Sequence, residues 1–156
     1  MTMIQVQPRT AASLQTSSHD SMALQRPVRV LLVSCRLEIR KLLLQLLEAL
    51  AGDVICCSTC VEADQVLARQ SMDIVFCDEH LPDGSYADFI HTDNFDHRIP
   101  RVVVITRVGE WEVYIEALRK GAFGTIRSPW CATDVEMIVI RALHDEECRS
   151  FRDSAA

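Results

Sequence analysis

The residues best placed to do chemistry in this 156-residue chain stand where short apolar runs end. Ser34 and Cys35 follow the first run, Asp78 follows the third, and Thr106 ends the fourth. If these runs are parallel strands, their carboxyl ends meet at one edge of a sheet, where open α/β sheets bind ligands. The sequence therefore predicts a site at this edge in which Asp78 is the lone carboxylate.

The elements that must position these residues alternate in a regular way. Apolar runs typical of buried strands lie at 28–33, 54–57, 73–77, 101–106 and 124–127. Helical patterns lie at 36–50, 60–70, 86–93, 109–120 and 133–148. In the first helix Leu42 and Leu50 belong to the apolar stripe, and Leu44 lies off it. Such alternation predicts an α/β fold with one parallel sheet covered by helices on both faces.

Composition indicates a single soluble domain. Apolar residues make up 49% of the chain and charged residues 24%, with a formal net charge of −6, which disfavours non-specific binding to nucleic acid. We expect a disordered polar tail at 1–26, the domain at 27–148 and a frayed tail at 149–156. No apolar run could span a membrane and no export signal is evident, so the seven cysteines are expected to be reduced and largely buried in a cytoplasmic protein.

Three segments together resemble the receiver domains of two-component response regulators. They are Asp73–Gly84, which contains Asp78 and Pro82, then Val104–Thr106, and finally Ala117–Gly124 followed by Ser128-Pro129. The resemblance covers about 28–145. It implies the flavodoxin-like strand order 2-1-3-4-5, Asp78 as the phosphoacceptor position and Thr106 as the switch position. It also implies signalling in a bacterial cytoplasm with a histidine kinase, another regulator or a scaffold protein as partner.

Several positions depart from the family's pattern. Ser34 and Cys35 replace the two acidic residues that help hold Mg²⁺, and Ser128 replaces the family's lysine. A hydroxyl and a thiol are poor ligands for a hard cation. We therefore expect a stand-alone, degenerate receiver without a bound cofactor, which acts through protein contacts and is not an enzyme. The alternative is a working phosphoacceptor that uses Asp78 with Mg²⁺.

Other interpretations remain open at this stage. Arg36, Arg107 and Arg127 lie near the predicted crevice, where one of them could pair with Asp78 or all three could be solvated surface residues. Thr106 could be a switch residue or only a β-branched strand end. A second alternative function is a metal or thiol sensor centred on Cys35, with Asp78 and His80 as further ligands.

A partner surface is predicted on the fourth and fifth helices. Met137 and Ile140 lie off the core stripe of the last helix, and Trp111 and Tyr114 lie on the helix before it. Apolar residues beside charges suit a protein partner or a second copy of the chain. The other interpretation is that the two aromatic residues cap the core.

Overall fold

The computed structural model describes residues 27–90, 100–107 and 110–154, with side chains up to 144. The predicted tail at 1–26 and the end of the predicted third helix lie outside these ranges. The strands are β1 (Arg29–Val33), β2 (Asp53–Cys57), β3 (Ile74–Asp78), β4 (His80–Leu81), β5 (Gly84–Ser85), β6 (Arg101–Arg107) and β7 (Gly124–Ser128). The helices are α1 (Leu37–Leu50), α2 (Cys60–Arg69), α3 (Ala87–Ile90), α4 (Trp111–Lys120) and α5 (Ala132–Ser154).

The five long strands form one parallel sheet in the order β2-β1-β3-β6-β7. When only the five strands of the main sheet are numbered along the chain, this order is 2-1-3-4-5, as predicted. The prediction of an α/β fold with one parallel sheet is therefore confirmed. β4 and β5 were not predicted as strands. They form a small antiparallel hairpin directly after β3, with Pro82 and Asp83 at its turn, which matches the turn chemistry of those residues.

Two apolar layers hold the sheet between the helices. Alternate residues of β1 point to opposite faces, so Leu31 packs with α2, α3 and α4, whereas Leu32 packs with α1 and α5. Each large apolar side chain buried in this way contributes about 1.5–3 kcal/mol. Because these layers contain many such side chains, core packing fixes the position of the strand ends that carry the site.

Two details of the helices differ from the sequence prediction. α5 continues to Ser154, past the predicted end at 148, and no Gly or Pro interrupts the chain there. On α1, Leu42 and Leu50 are 58% and 37% exposed, whereas Leu44 packs partly against the core. The core face of α1 is therefore rotated relative to the predicted stripe. Among the described residues, no helix combines the length and apolar character needed to cross a membrane.

The hairpin after β3 is anchored to the start of α2. Both carboxylate oxygens of Asp83 accept backbone amide hydrogens, from Cys60 at 2.8 Å and from Val61 at 3.0 Å. Thr59 caps the same helix by accepting from the amide of Glu62 at 3.2 Å, as its capping-box sequence predicts. Asp83 thus links the loop that follows Asp78 to the amino terminus of α2.

Removing the Asp83 carboxylate is expected to destabilise the protein in a pH-dependent manner. The amide hydrogen bonds from Cys60 and Val61 lower the pKa of Asp83 below its ordinary value of 3.8. A lowered pKa in the folded state stabilises the fold above the unfolded-state pKa, and this stabilisation is lost as the pH falls through the folded-state pKa. In thermal unfolding, Asp83→Ala should have a lower melting temperature than the unchanged protein at neutral pH, and this difference should disappear in acid. A difference in melting temperature that does not change with pH would show that the Asp83 carboxylate does not stabilise the fold in this way.

Candidate functional site

Asp78 ends β3, the central strand of the sheet, and is buried with only 3% relative exposure. β3 lies between β1 and β6, and Asp78 aligns in register with Ile105 of β6. A buried, ionised carboxylate costs several kcal/mol unless it is paired and hydrogen-bonded. The groups that contact Asp78 therefore decide what this site can do.

Three consecutive residues after β1 surround the Asp78 carboxylate with hydrogen-bond donors. The Ser34 hydroxyl donates to Oδ2 at 2.7 Å, and the Cys35 backbone amide donates to the same oxygen at 3.2 Å. The Arg36 guanidinium donates from Nη2 to Oδ1 at 2.9 Å and forms an ion pair with it. Both oxygens of Asp78 are thus bound by donors from the chain itself.

The short connection between β1 and α1 positions these donors. Ser34 is fully buried, and the Arg36 backbone amide donates to its hydroxyl oxygen at 3.3 Å. Arg36 is the N-cap residue of α1 and has extended backbone angles, with its side chain free of any capping hydrogen bond. The guanidinium is therefore available to reach Asp78. The hydrogen bond from Arg36 Nη2 to Asp78 Oδ1 is 2.9 Å long and joins two charged groups, and such hydrogen bonds are among the stronger ones in proteins.

Of the three arginines named from the sequence, Arg36 is the one that pairs with Asp78. The interpretation of all three as solvated surface residues is therefore wrong for Arg36, whose side chain is 31% exposed. Arg107 is exposed and lines the same crevice. Arg127 is also exposed and lies over the ring of Trp111, 5.7 Å from the ring centroid.

A crevice of about 490 Å³ opens above Asp78, with charged residues at its rim. It is lined by Cys35, Arg36, Asp78, Glu79, His80, Ile105, Arg107 and Glu110. Burial raises the pKa of Glu79, an effect that His80 opposes and the carboxyl of Glu110 reinforces. Sequence reasoning missed Glu79 and Glu110 as crevice residues, so the prediction that Asp78 is the lone carboxylate of the site is wrong. Glu79 could have been found as the residue next to Asp78, but Glu110 approaches only through the fold.

The remaining receiver positions lie in different surroundings. Thr106 is buried, and its hydroxyl donates to the Ile126 carbonyl of β7 at 3.4 Å. Ser128 lines a separate groove beside α1. Thr106 therefore contacts the neighbouring strand, and Ser128 offers no positive charge to the crevice. Their roles as switch position and altered lysine position stay predictions.

The structure brings the three side chains of the sensor hypothesis to one crevice. Cys35 Sγ lies 3.9 Å from Asp78 Oδ2, while His80 Nε2 lies 3.2 Å from a Glu79 oxygen and its side chain is 82% exposed. Within the described ranges, no three His, Cys, Asp or Glu side chains are arranged to hold a metal ion. Metal analysis of the protein and of a Cys35→Ser variant would test that hypothesis, which stays a prediction.

The cysteines are less uniformly buried than the sequence suggests. Cys57, Cys60 and Cys77 are buried, and burial raises the pKa of Cys57 to about 11 and that of Cys60 to about 12. Such thiols stay protonated and unreactive at neutral pH. Cys35, Cys56 and Cys131 are exposed free thiols, so the expectation of burial is wrong for these three.

The four residues of the predicted partner surface lie on α4 and α5. Met137, Ile140 and Trp111 are 53%, 52% and 58% exposed, so the interpretation of Trp111 as a core cap is wrong. Tyr114 is half-buried and stacks on Trp111 with ring centroids 5.1 Å apart. The Arg127 guanidinium lies over the same Trp111 ring. Whether this surface binds a partner stays a prediction.

Comparisons with known proteins agree with this architecture. No protein-family profile matches the sequence. Response regulator protein PilR from Pseudomonas aeruginosa is 33% identical over 101 residues, which cover 65% of this chain and 23% of PilR. The signal receiver domain of a LuxO repressor protein from Vibrio parahaemolyticus is 25% identical, with a TM-score of 0.70 over 81% of this chain and 96% of that one. The chain has the fold of a response-regulator receiver domain.

Another solved receiver domain extends this likeness in fold. The signal receiver domain of an HD domain-containing protein from Pseudomonas fluorescens Pf-5 has a TM-score of 0.71 at 22% identity, covering 83% of this chain and 96% of that one. The chain spans about a quarter of the length of PilR, the relative it matches in sequence. Within this receiver fold, Asp78 lies at the carboxyl end of the central strand, and Arg36 lies against it.

Proposed function

We propose that this receiver domain acts in bacterial signal transduction through protein contacts and without phosphorylation. The ion pair between Arg36 and Asp78 carries the proposal, because a positive charge of the chain itself already binds the carboxylate that a phosphoryl group or Mg²⁺ would have to reach. We further propose that the domain works in the cytoplasm and has no enzymatic activity of its own.

The contacts of Asp78 oppose its use as a phosphoacceptor. To attack a phosphoryl group, one carboxylate oxygen must give up a donor: Oδ1 would lose Arg36 at 2.9 Å, and Oδ2 would lose Ser34 at 2.7 Å or the Cys35 amide at 3.2 Å. The product, an acyl phosphate, would carry close to two negative charges in place of the single charge of the carboxylate, in a crevice that already contains Glu79 and Glu110. Loss of a hydrogen bond to a charged, buried group costs about 1.5–3 kcal/mol, which adds to the barrier.

The same residues fit a magnesium ion poorly. Mg²⁺ prefers near-octahedral oxygen ligands and is usually held by carboxylates. Here Ser34 and Cys35 contribute a hydroxyl and a thiol, and the Arg36 guanidinium already binds Asp78 Oδ1. A guanidinium and a divalent cation would repel each other at this distance. These contacts support the proposal that the domain works without a bound cofactor.

The proposed partner surface consists of residues that do not line this crevice. Trp111 and Tyr114 on α4, together with Met137 and Ile140 on α5, present apolar side chains. A kinase, another regulator or a scaffold protein would suit such a surface, which has aromatic residues beside an arginine. Because Arg36 holds Asp78 without phosphate, we propose that this surface keeps a single arrangement.

The alternative function is a working phosphoacceptor, and the position of Asp78 favours it. The carboxylate lies at the carboxyl end of β3, where ligands bind in open parallel sheets, and Thr106 ends the adjacent strand. In that case a phosphoryl donor would have to displace the Arg36 side chain, which is 31% exposed and so accessible to solvent.

Incubation with acetyl phosphate and Mg²⁺, followed by intact mass measurement, separates the two functions. We expect the unchanged protein to gain no stoichiometric phosphoryl group, and Asp78→Asn serves as the matched control. A full phosphoryl adduct that Asp78→Asn abolishes would refute the phosphorylation-independent function and establish the alternative.

A further inference from the structure

An apolar groove beside α1 shares no lining residue with the crevice above Asp78. It has a volume of about 270 Å³ and is lined by α1 and by the loop between β7 and α5, through Ile39, Leu42, Gln45, Leu46, Ser128, Pro129 and Trp130. Leu42 stands at its rim with 58% of its surface exposed. Apolar surface of this kind beside a groove is typical of a docking site.

The exposed face of α1 next to this groove is self-complementary in charge. Lys41, Gln45 and Glu48 are exposed and spaced four and three residues apart, so they lie on one side of the helix. In an antiparallel pairing of two α1 helices centred between Leu44 and Gln45, Lys41 of each copy faces Glu48 of the other. The Gln45 side chain has both donor and acceptor groups, so it can hydrogen-bond to its own symmetry mate.

We propose that two copies of this chain associate through α1 about a two-fold axis near Gln45. In this arrangement Leu42 of each copy packs over the groove of the other, beside Pro129 and Trp130. A two-fold interface requires the same patch to match itself, and the order Lys41, Gln45, Glu48 satisfies that requirement. An unrelated partner would place no such demand on the sequence, which is why the charge order favours a second copy.

This interface is separate from the surface proposed for other proteins. α1 and α5 cover one face of the sheet, and Leu42 projects from α1 on the side of the β7–α5 loop. Trp111 and Tyr114 lie on α4, which packs against the opposite face. Self-association through α1 would therefore leave α4 free for a further partner, and it does not depend on whether Asp78 is phosphorylated.

Sedimentation velocity of the full chain over a range of concentrations tests the proposal. We expect the mass to rise with concentration from one chain to two, and Leu42→Arg to weaken this association at least about tenfold, as expected for a charge placed in a desolvated contact. Ile140→Arg is the matched control, because Ile140 is similarly exposed but lies on α5 in the other proposed surface. A chain that stays monomeric, or a dimer that only Ile140→Arg dissociates, would overturn the proposal.

A charge-reversal cycle keeps the test valid even if Leu42→Arg fails to fold. Lys41→Glu should weaken the dimer about tenfold, because two ion pairs become two repulsions, and Glu48→Lys should do the same. The double variant should recover the original dissociation constant, since the pairs are restored with their signs exchanged. Single and double variants that dimerise equally well would show that these residues do not face each other.

Discussion

Arg36→Ala is expected to lower the free energy of unfolding by about 2 kcal/mol. The substitution leaves the buried Asp78 carboxylate with Ser34 and the Cys35 amide as its donors and without a countercharge. Breaking a fully buried ion pair costs about 3–5 kcal/mol, and the 31% exposure of the Arg36 side chain places the expected effect below that range. Helix capping should not contribute, because the Arg36 side chain makes no capping hydrogen bond.

Urea unfolding measures this effect, and Arg107→Ala provides the matched control. Arg107 is an exposed arginine of the same crevice, so its removal should change stability by less than about 0.5 kcal/mol. In the background of Asp78→Asn, Arg36→Ala should cost much less than it does alone, because its charged partner is gone. Equal costs of Arg36→Ala in both backgrounds would show that the ion pair does not stabilise the fold.

Restoring the groups that the receiver family carries is expected to give Asp78 a strong gain in phosphoacceptor activity. The variant combines Ser34→Asp, Cys35→Asp, Arg36→Ala and Ser128→Lys, which returns the acidic pair and the lysine and removes the competing guanidinium. Loss of a single electrostatic group at a reacting centre commonly costs 10²–10³-fold in rate. We therefore expect phosphorylation by acetyl phosphate to become at least ~10³-fold faster and to require Mg²⁺.

Two controls make this result interpretable. The same variant with Asp78→Asn must stay unmodified, and circular dichroism must show that the substituted protein folds, because Ser34 is fully buried and an aspartate there is larger. Arg36→Ala alone should give a much smaller gain, since it frees the carboxylate but supplies no cation site. A folded combined variant that remains unphosphorylated would show that the departures at these positions are not what keeps Asp78 from accepting a phosphoryl group, as proposed above.

The fold was predictable because its signals are local. Short β-branched runs such as Val102–Ile105 alternate with helical patterns, and this alternation restricts the chain to a parallel sheet with helices on both faces. The hairpin β4–β5 escaped prediction because each of its strands has only two residues. The rotation of α1 also escaped, since a run of leucines from 42 to 44 gives a helix no single apolar face.

The site was predictable in position and less so in its contacts. Spacing placed Asp78 at a strand end beside Ser34 and Cys35, and the structure brings these residues together. Which of three arginines would pair with Asp78 depends on side-chain direction at the start of α1, which sequence spacing does not determine. Glu110 comes from a different element altogether, so its approach to Glu79 required the fold.

Within the part of the chain that the structure describes, the donors to Asp78 come from one uninterrupted stretch of backbone, Ser34 to Arg36, and this affects how the protein could convey information. On the function proposed above, a receiver with a built-in countercharge has one populated state, so no chemical mark distinguishes an active molecule from an idle one. Its partners would then respond to how many molecules are present, by mass action. Synthesis and proteolysis, rather than a kinase and a phosphatase, would set the strength of the signal.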